Sequence, residues 1–268
     1  MKIPITLVCL LLFACIFEEE NHQVEIPIFD SPQTISFAQN LSEYNIFQGN
    51  YSELVPSDSF HLIELISPLF TDYAQKQRLL YLPKGEHIAT QEDGSLVYPD
   101  GSILTKTFYY HLDQNDSTRG KQIIETRLLI KQQGNWNPAT YLWNEDQTEA
   151  KLHDEGLVTP IEWTDSIGSK KQTNYKVPSK NDCMACHQNK SSITYLGPTL
   201  SNTNKEVLRE EQIVHQHQYF EDIGIFKKPT ISPIPEIKNH SNPTESIEKR
   251  GRAYLAMNCA HCHNPNGW

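Results

Sequence analysis

Four cysteines of this chain lie in two Cys-x-x-Cys pairs, and a histidine directly follows each pair. The first pattern is CMACH at 183–187 and the second is CAHCH at 259–263. Two thiols one helical turn apart can each add to a vinyl group on the same porphyrin edge, and the adjacent histidine can coordinate the iron. The sequence therefore predicts two haem c attachment sites. The predicted residues are Cys183, Cys186 and His187 at the first site, and Cys259, Cys262 and His263 at the second.

Three other interpretations of the paired cysteines are weaker. Four cysteines could hold a zinc ion, but a zinc ribbon does not require a histidine after both pairs and is less expected outside the cytosol. A thioredoxin-like redox pair would need a βαβ context, which the surrounding sequence does not have. A disulfide within so short a loop would be strained. Haem attachment is therefore favoured at both sites, with His187 and His263 as iron ligands.

The first residues are typical of an export signal. Lys2 is followed by an almost wholly apolar stretch at 3–14, which is too short to span a bilayer as a stable helix. It ends in LFAC at 12–15, which resembles a bacterial lipobox, so we expect residues 1–15 to form a signal peptide and Cys15 to carry lipid. An ordinary secretory peptide with an unmodified cysteine is the alternative. Isoleucine rather than aspartate follows Cys15, which favours an outer-membrane lipoprotein that faces the periplasm.

The composition predicts a globular chain with an acidic surface. The 268 residues include 38% hydrophobic and 21% charged residues, and the formal net charge is −10. Nucleic-acid binding depends on clustered lysine and arginine, so this charge argues against it. It favours attraction to a basic partner protein. No stretch after the signal region is apolar enough for a transmembrane helix.

Residues 46–180 are expected to form an antiparallel β domain that follows a polar tether at 16–45. Apolar runs flank turn-forming residues at 99–102 and 133–135, and no helical pattern separates these runs. A short helix is predicted within 67–83, because a serine and a proline can begin it and a second proline can end it. The aromatic residues predicted to form the core are Phe108, Tyr110, Tyr141, Trp143 and Trp163.

The first motif is expected in a small helical haem-binding segment at 181–226, on a loop that leaves the β domain. In class I cytochromes c, a proline carbonyl shortly after the haem histidine accepts the Nδ1 proton of that histidine. Pro198 follows His187 at a comparable distance, so its carbonyl is the predicted acceptor. A helix is predicted over 204–226, and the stretch 227–247 is predicted to be a linker because it is rich in Pro, Ser and Asn.

The first haem has no methionine available as a second axial ligand between 188 and 250. The histidines of that stretch are His215, His217 and His240. His217 lies on the apolar face of the predicted helix, so it is favoured as the distal ligand, with His215 as the alternative. His240 lies in the predicted linker, where holding it would cost ordering entropy. The next candidates are His111 and His153 of the β domain, and an open sixth position is a further alternative.

Residues 248–268 are expected to begin a second unit. Gly251 lies eight residues before Cys259, and Leu255 lies four before it. This spacing resembles the N-terminal helix of class I cytochromes c, in which glycine allows close helix crossing and the apolar residue packs beside the haem. Only five residues follow the second motif, so we expect the rest of such a domain to be missing. Met257 lies on the attachment side and is not expected to reach the distal face of the haem.

Several stretches together resemble a family of bacterial exported dihaem c-type cytochromes. They are residues 67–83, 100–110, 124–150, 178–187 and 257–268. The resemblance implies electron transfer, in some members beside a quinoprotein sugar dehydrogenase as the redox partner. It also implies a longer tail, with a methionine-containing segment, after the second motif; the present sequence departs from the family there.

A second and looser resemblance concerns the β region followed by the first motif. This layout is similar to the lysine-cross-linked haem enzymes of hydroxylamine oxidation, in which the haem lies on one antiparallel sheet. The resemblance implies that Lys106 would be the corresponding lysine. A solvated strand lysine is the alternative, because lysine is usually exposed.

The sequence as a whole predicts an α+β fold. Its parts are an antiparallel β-sheet domain, a small helical haem-binding region and the start of a class I cytochrome c domain. The favoured function is electron transfer by a periplasm-facing lipoprotein with two haem c groups and a redox partner protein. The alternatives are a haem enzyme with an open first haem that acts on a small nitrogen or oxygen substrate, and a partner-binding β module with structural haem.

Overall fold

A computed structural model describes residues 36–189 and 192–263 of the chain. The predicted signal peptide, the lipidation site Cys15 and the tether up to residue 35 lie outside the described residues. The last five residues, 264–268, also lie outside them. Among the described residues, no helix has the length and apolar character needed to cross a membrane.

The described residues form short and long strands with three α-helices near the C-terminal end. The strands are β1 His61–Leu62, β2 Gln75–Tyr81, β3 Ala89–Thr90, β4 Leu96–Val97, β5 Ile103–His111, β6 Lys121–Gln132, β7 Asn135–Trp143, β8 Ala150–Leu152, β9 Leu157–Thr164, β10 Lys170–Val177, β11 Gln188–Asn189, β12 Ser192–Ile193, β13 Glu206–Arg209 and β14 Gln212–His215. The α-helices are α1 Lys180–His187, α2 Gln216–Asp222 and α3 Ile247–Asn258, and short 3-10 helices lie at Leu41–Tyr44, Tyr51–Glu53 and Ser117–Arg119.

Six strands form one antiparallel sheet in the order β1-β2-β5-β6-β7-β8. The turn between β6 and β7 is Gln133–Gly134, and both residues have positive φ, 51° and 77°. This turn has the twist that hairpin strands require, and glycine adopts it without steric cost. The predicted antiparallel sheet and the turn at 133–135 are therefore confirmed. The described residues do not include a cytochrome c domain.

The two faces of the sheet bury different side chains. Tyr141 and Trp143 lie on one face and pack with Leu79 and Leu128. The aromatic side chains of the opposite face are Phe108, Tyr110 and, from the β9–β10 hairpin, Trp163. All five aromatic residues predicted for the core are buried. They divide between two clusters because successive strand side chains point to opposite faces.

The predicted helix within 67–83 is wrong, because Gln75–Tyr81 is strand β2. It pairs with β1 on one side and with β5 on the other. The hydrogen bonds of two neighbouring strands satisfy its backbone, and this tertiary pairing overrides a weak local helix signal. Pro83 still ends the element, two residues after Tyr81.

The predicted helix over 204–226 is wrong in its first half. Residues 206–215 form the β13–β14 hairpin, and only Gln216–Asp222 is helical. The hairpin turns at Glu210 and Glu211, which have φ of 48° and 64°. Glutamate is an unusual residue for such a turn, so the local sequence carries no signal for it.

Two segments outside the sheet are held by specific contacts. The 3-10 helix Leu41–Tyr44 packs on the sheet, and Leu41 is buried, so the β unit begins before the predicted boundary at residue 46. The stretch 227–247 contains no helix or strand before α3. It is nevertheless anchored, because His240 Nδ1 is hydrogen-bonded to Ser67 Oγ and the His240 carbonyl accepts Arg250 Nε at 2.9 Å.

Candidate functional site

A cavity of about 680 Å³ lies on the sheet between the first and second motifs. Strands β2, β5, β6 and β7 form its floor, and α1, the segment 195–198 and the C-terminal end of α3 form its walls. The lining includes Cys183, Ala185, Cys186 and His187 from the first motif and Cys259 and His261 from the second. The fold therefore brings two motifs that are 76 residues apart in the sequence to one cavity.

The first motif lies on helix α1 and not on a loop, so the loop prediction is wrong. Ser179 begins the helix. Its side-chain oxygen accepts the Asp182 amide at 3.2 Å, and the Asp182 carboxylate accepts the Ser179 amide at 2.9 Å. This reciprocal pair is a capping box, and the spacing Ser-x-x-Asp could have revealed it. The helix places Cys183 and Cys186 one turn apart on the same side.

His187 is held in one tautomer by a backbone carbonyl. Its Nδ1 donates to the Thr194 carbonyl at 2.7 Å, and the Thr194 amide donates to the His187 carbonyl at 2.7 Å. Because a carbonyl only accepts, Nδ1 carries the proton and the lone pair is on Nε2. Burial lowers the pKa of His187 to about 4, although the bond to Thr194 opposes this, so the ring is neutral at pH 7. Pro198 was predicted to supply the carbonyl; it lines the cavity wall, and Thr194 supplies it instead.

The four motif cysteines are free thiols. Cys183 is hydrogen-bonded to Thr140 on strand β7, and burial raises the pKa of its thiol. Cys186 lies beside Cys262, so a thiol of the first motif is a neighbour of a thiol of the second. Burial and this neighbouring thiol raise the pKa of Cys186.

The second motif follows the C-terminal end of α3 in a turn. The Cys259 amide donates to the Leu255 carbonyl at 2.9 Å, and the His263 amide donates to the Cys259 carbonyl at 2.9 Å. His261, between the two cysteines, lines the cavity, whereas the predicted ligand His263 is exposed and does not line it. Leu255 is 57% exposed, and a Cβ on Gly251 would meet nothing within 4 Å. The helix contacts expected of a class I cytochrome c are therefore not made by the described residues.

None of the predicted distal histidines lines the cavity. His217 is buried on α2, where its Nε2 is hydrogen-bonded to Thr203 Oγ1 at 2.8 Å. Its ring packs at a tilt against Phe226, with the ring centroids 5.1 Å apart. His215 packs against His217, and His240 is bonded to Ser67. The two reserve candidates, His111 and His153, are also outside the cavity lining. The preference for His217 rested on a helix that is half strand in the structure.

Lys106 lines the cavity and is partly buried, so it is not a fully exposed strand lysine. It lies on β5, directly opposite Arg78 of β2 and Arg127 of β6. Both arginines also line the cavity, and sequence reasoning missed them. The alternation of side chains along each strand predicts which face of the sheet each cation lies on. Only the register between the strands places Arg78, Lys106 and Arg127 next to one another. Burial, followed by the charges of Arg78 and Arg127, holds the pKa of Lys106 well below its usual range.

The cavity therefore combines thiols, a neutral imidazole and cationic side chains around an apolar space. Within the described ranges, no three His, Cys, Asp or Glu side chains converge closely enough to hold a metal ion by themselves. Comparisons of the chain with protein-family models, with curated proteins and with solved structures find no match.

Proposed function

We propose that this protein is a c-type cytochrome that carries two haem c groups and transfers electrons. The observation that supports it best is the environment of His187. Its Nδ1–H is fixed by the Thr194 carbonyl, its Nε2 lone pair is available, and it follows two free thiols at the wall of one cavity. Iron-bound histidines in proteins commonly have this second hydrogen bond, which sets the tautomer and orients the ring.

The residues present fit a haem at the first site. The cavity of about 680 Å³ is within the range of cofactor pockets, and apolar side chains of β5, β6 and β7 contribute to its lining. Cys183 and Cys186 would hold the group by thioether bonds, and His187 would bind its iron. Haem, when bound, supplies an iron that gains and loses one electron.

The second site is proposed on the motif Cys259, Cys262 and His263, as the beginning of a class I cytochrome c domain. One of its cysteines, Cys262, lies beside Cys186 of the first site. Adjacent attachment points favour electron exchange between two haems. The resemblance to exported dihaem cytochromes suggests a redox partner protein, such as a quinoprotein dehydrogenase, and a lipid anchor on Cys15 would place the protein at the periplasmic face of the outer membrane.

Covalent haem should be found when the full chain is produced in a cell with cytochrome c assembly. Replacing Cys183 and Cys186 together with serine should remove one haem equivalent, and the same change at Cys259 and Cys262 should remove the other. Pyridine haemochrome absorbance measured against protein concentration gives the number of haems per chain. A value near zero in the unmutated chain, with zinc found by metal analysis, would exclude the proposed function.

A haem enzyme is the second candidate, and Lys106 is the observation that favours it. A lysine whose pKa is held well below its usual range by burial and cationic neighbours can act as a nucleophile or a proton donor–acceptor toward a small nitrogen or oxygen substrate. An open first haem should bind carbon monoxide and cyanide rapidly, whereas a six-coordinate haem should bind them slowly. Stopped-flow absorbance of the matured protein, with serine at both second-motif cysteines, separates the two candidates.

A further inference from the structure

The geometry points to an oxyanion-binding site formed by Arg78, Lys106 and Arg127, three residues here named the basic row. The row lies on the floor of the cavity described above. This inference deepens the proposed function, because it names the class of ligand that the same cavity binds. It rests on the proposed haem only if the ligand is the pair of haem carboxylates.

Strand register sets the three cations side by side. Arg78 is the direct partner of Lys106 across the β2–β5 pair, and Lys106 is the direct partner of Arg127 across the β5–β6 pair. Directly opposite side chains on one face of an antiparallel pair are nearest neighbours, and like charges in such positions are destabilising. A third neighbour on this face, Lys76, adds to the positive charge, because its charge lowers the pKa of Lys106.

The described residues do not neutralise this charge. Arg78, Lys106, Arg127 and Lys176 are the cationic side chains that line the cavity, and Asp182 is the acidic side chain that lines it. Asp182 pairs with Lys176, and Glu125 below the floor pairs with Arg127. Four cations against these two carboxylates leave a formal charge of +2, and it belongs to Arg78 and Lys106. Charges in a partly enclosed cavity are normally paired, so this excess of positive charge favours binding of an anion.

One nitrogen of the Arg78 guanidinium lacks a hydrogen-bond partner among the described residues, as expected for a positive charge without a counter-ion. Its Nη2 is buried, and within the part of the chain that the structure describes it has no hydrogen-bond partner. Burial lowers the pKa of Arg78 to about 10, which still leaves the guanidinium charged at pH 7. A guanidinium beside an ammonium suits an oxyanion, because the planar fork and the point charge can both donate to its oxygens.

Two sources could supply this oxyanion. One is the pair of carboxylates that haem carries on the edge opposite its vinyl groups. The other is a small inorganic oxyanion that enters the cavity from solution. Both present negatively charged oxygens to the same donors, so the same side chains would recognise either one.

The test uses the full chain matured with cytochrome c assembly, with nitrite and phosphate as probes at constant ionic strength. Arg78→Gln and Lys106→Gln each neutralise one member of the basic row. Lys171→Gln is the matched control, because Lys171 lies on the β9–β10 hairpin, pairs with Asp165 and does not line the cavity. Isothermal titration calorimetry measures binding of the probes. Urea unfolding of each variant establishes that it is folded.

If a free oxyanion is the ligand, nitrite or phosphate should bind saturably to the unmutated protein. Each basic-row variant should then weaken binding by about tenfold or more, and the control by less than about twofold. If the haem carboxylates are the ligand, neither probe should bind. The two variants should then shift the carboxylate bending band of the haem in resonance Raman spectra and lower the ratio of reduced to oxidised haem at a fixed applied potential, by about threefold or more, whereas Lys171→Gln changes neither.

The inference is overturned if folded Arg78→Gln and Lys106→Gln proteins match the unmutated protein in probe binding and in both haem readouts. Failure of the proposed function has a different signature, which is the absence of haem from the purified chain. The nitrite and phosphate titrations still decide the inference in that case, because saturable binding lost in the two variants supports the basic row and no binding rejects it.

Discussion

Replacement of Glu125 with alanine is expected to lower the free energy of unfolding by about 3–5 kcal/mol, the typical cost of removing one partner of a buried ion pair. The Glu125 side chain is fully buried. Its carboxylate accepts Arg127 Nε at 2.9 Å, Arg127 Nη2 at 2.5 Å and the Tyr175 hydroxyl at 2.6 Å. In the variant, the Arg127 guanidinium would lie beside Arg78 and Lys106 with no carboxylate to offset its charge. Urea unfolding followed by circular dichroism measures the change.

A matched control is Glu162→Ala on strand β9. Glu162 is exposed, so its removal should change the free energy of unfolding by no more than about 0.5 kcal/mol. Tyr175→Phe should give an intermediate loss, since it removes only one hydrogen bond to the same carboxylate. A loss below about 1 kcal/mol for Glu125→Ala would mean that the buried pair does not stabilise the sheet as inferred.

Replacement of His187 with alanine is expected to remove the proximal ligand of the first haem completely while both thiols of that site remain. The change is made in a chain with serine at Cys259 and Cys262, so that only the first haem contributes to the spectrum. His261 is replaced with alanine in the same chain, because it is the other histidine among the described residues that lines the cavity. The Soret band should then lose the features of histidine ligation. Added imidazole should restore them, since the variant leaves an imidazole-sized space. Absorbance spectra during an imidazole titration provide the measurement.

His217→Ala is the control for this experiment. His217 is as buried as a core residue, yet it bonds to Thr203 and lies outside the cavity lining. Its replacement should leave the haem spectrum unchanged. An unaltered spectrum in the His187 variant, or a change of spin state in the His217 variant, would reverse the ligand assignment.

The antiparallel sheet could be predicted because its signals are local. Turn residues such as Gly134 adopt positive φ at little cost, and the flanking strands alternate apolar and polar side chains. Strand β2 could not be predicted in the same way. Its sequence from Gln75 to Tyr81 is compatible with a helix, and the strand forms because partners on both sides complete its hydrogen bonds. The β13–β14 turn at Glu210–Glu211 was missed for a related reason, since its residues are not typical of a turn.

The candidate site was likewise predictable from the sequence only in part. The sequence by itself determined which residues can carry the chemistry. The two thiols and the histidine of each motif are contiguous in the chain, so the motif can be recognised without knowledge of the fold. Only the tertiary structure decided that the Thr194 carbonyl, and not that of Pro198, holds His187. It also decided that both motifs meet at one cavity and that Lys106 lies between two arginines. The physical reason is that strand register and side-chain packing bring together residues that are far apart in the chain. The local periodicity of the sequence does not identify those partners.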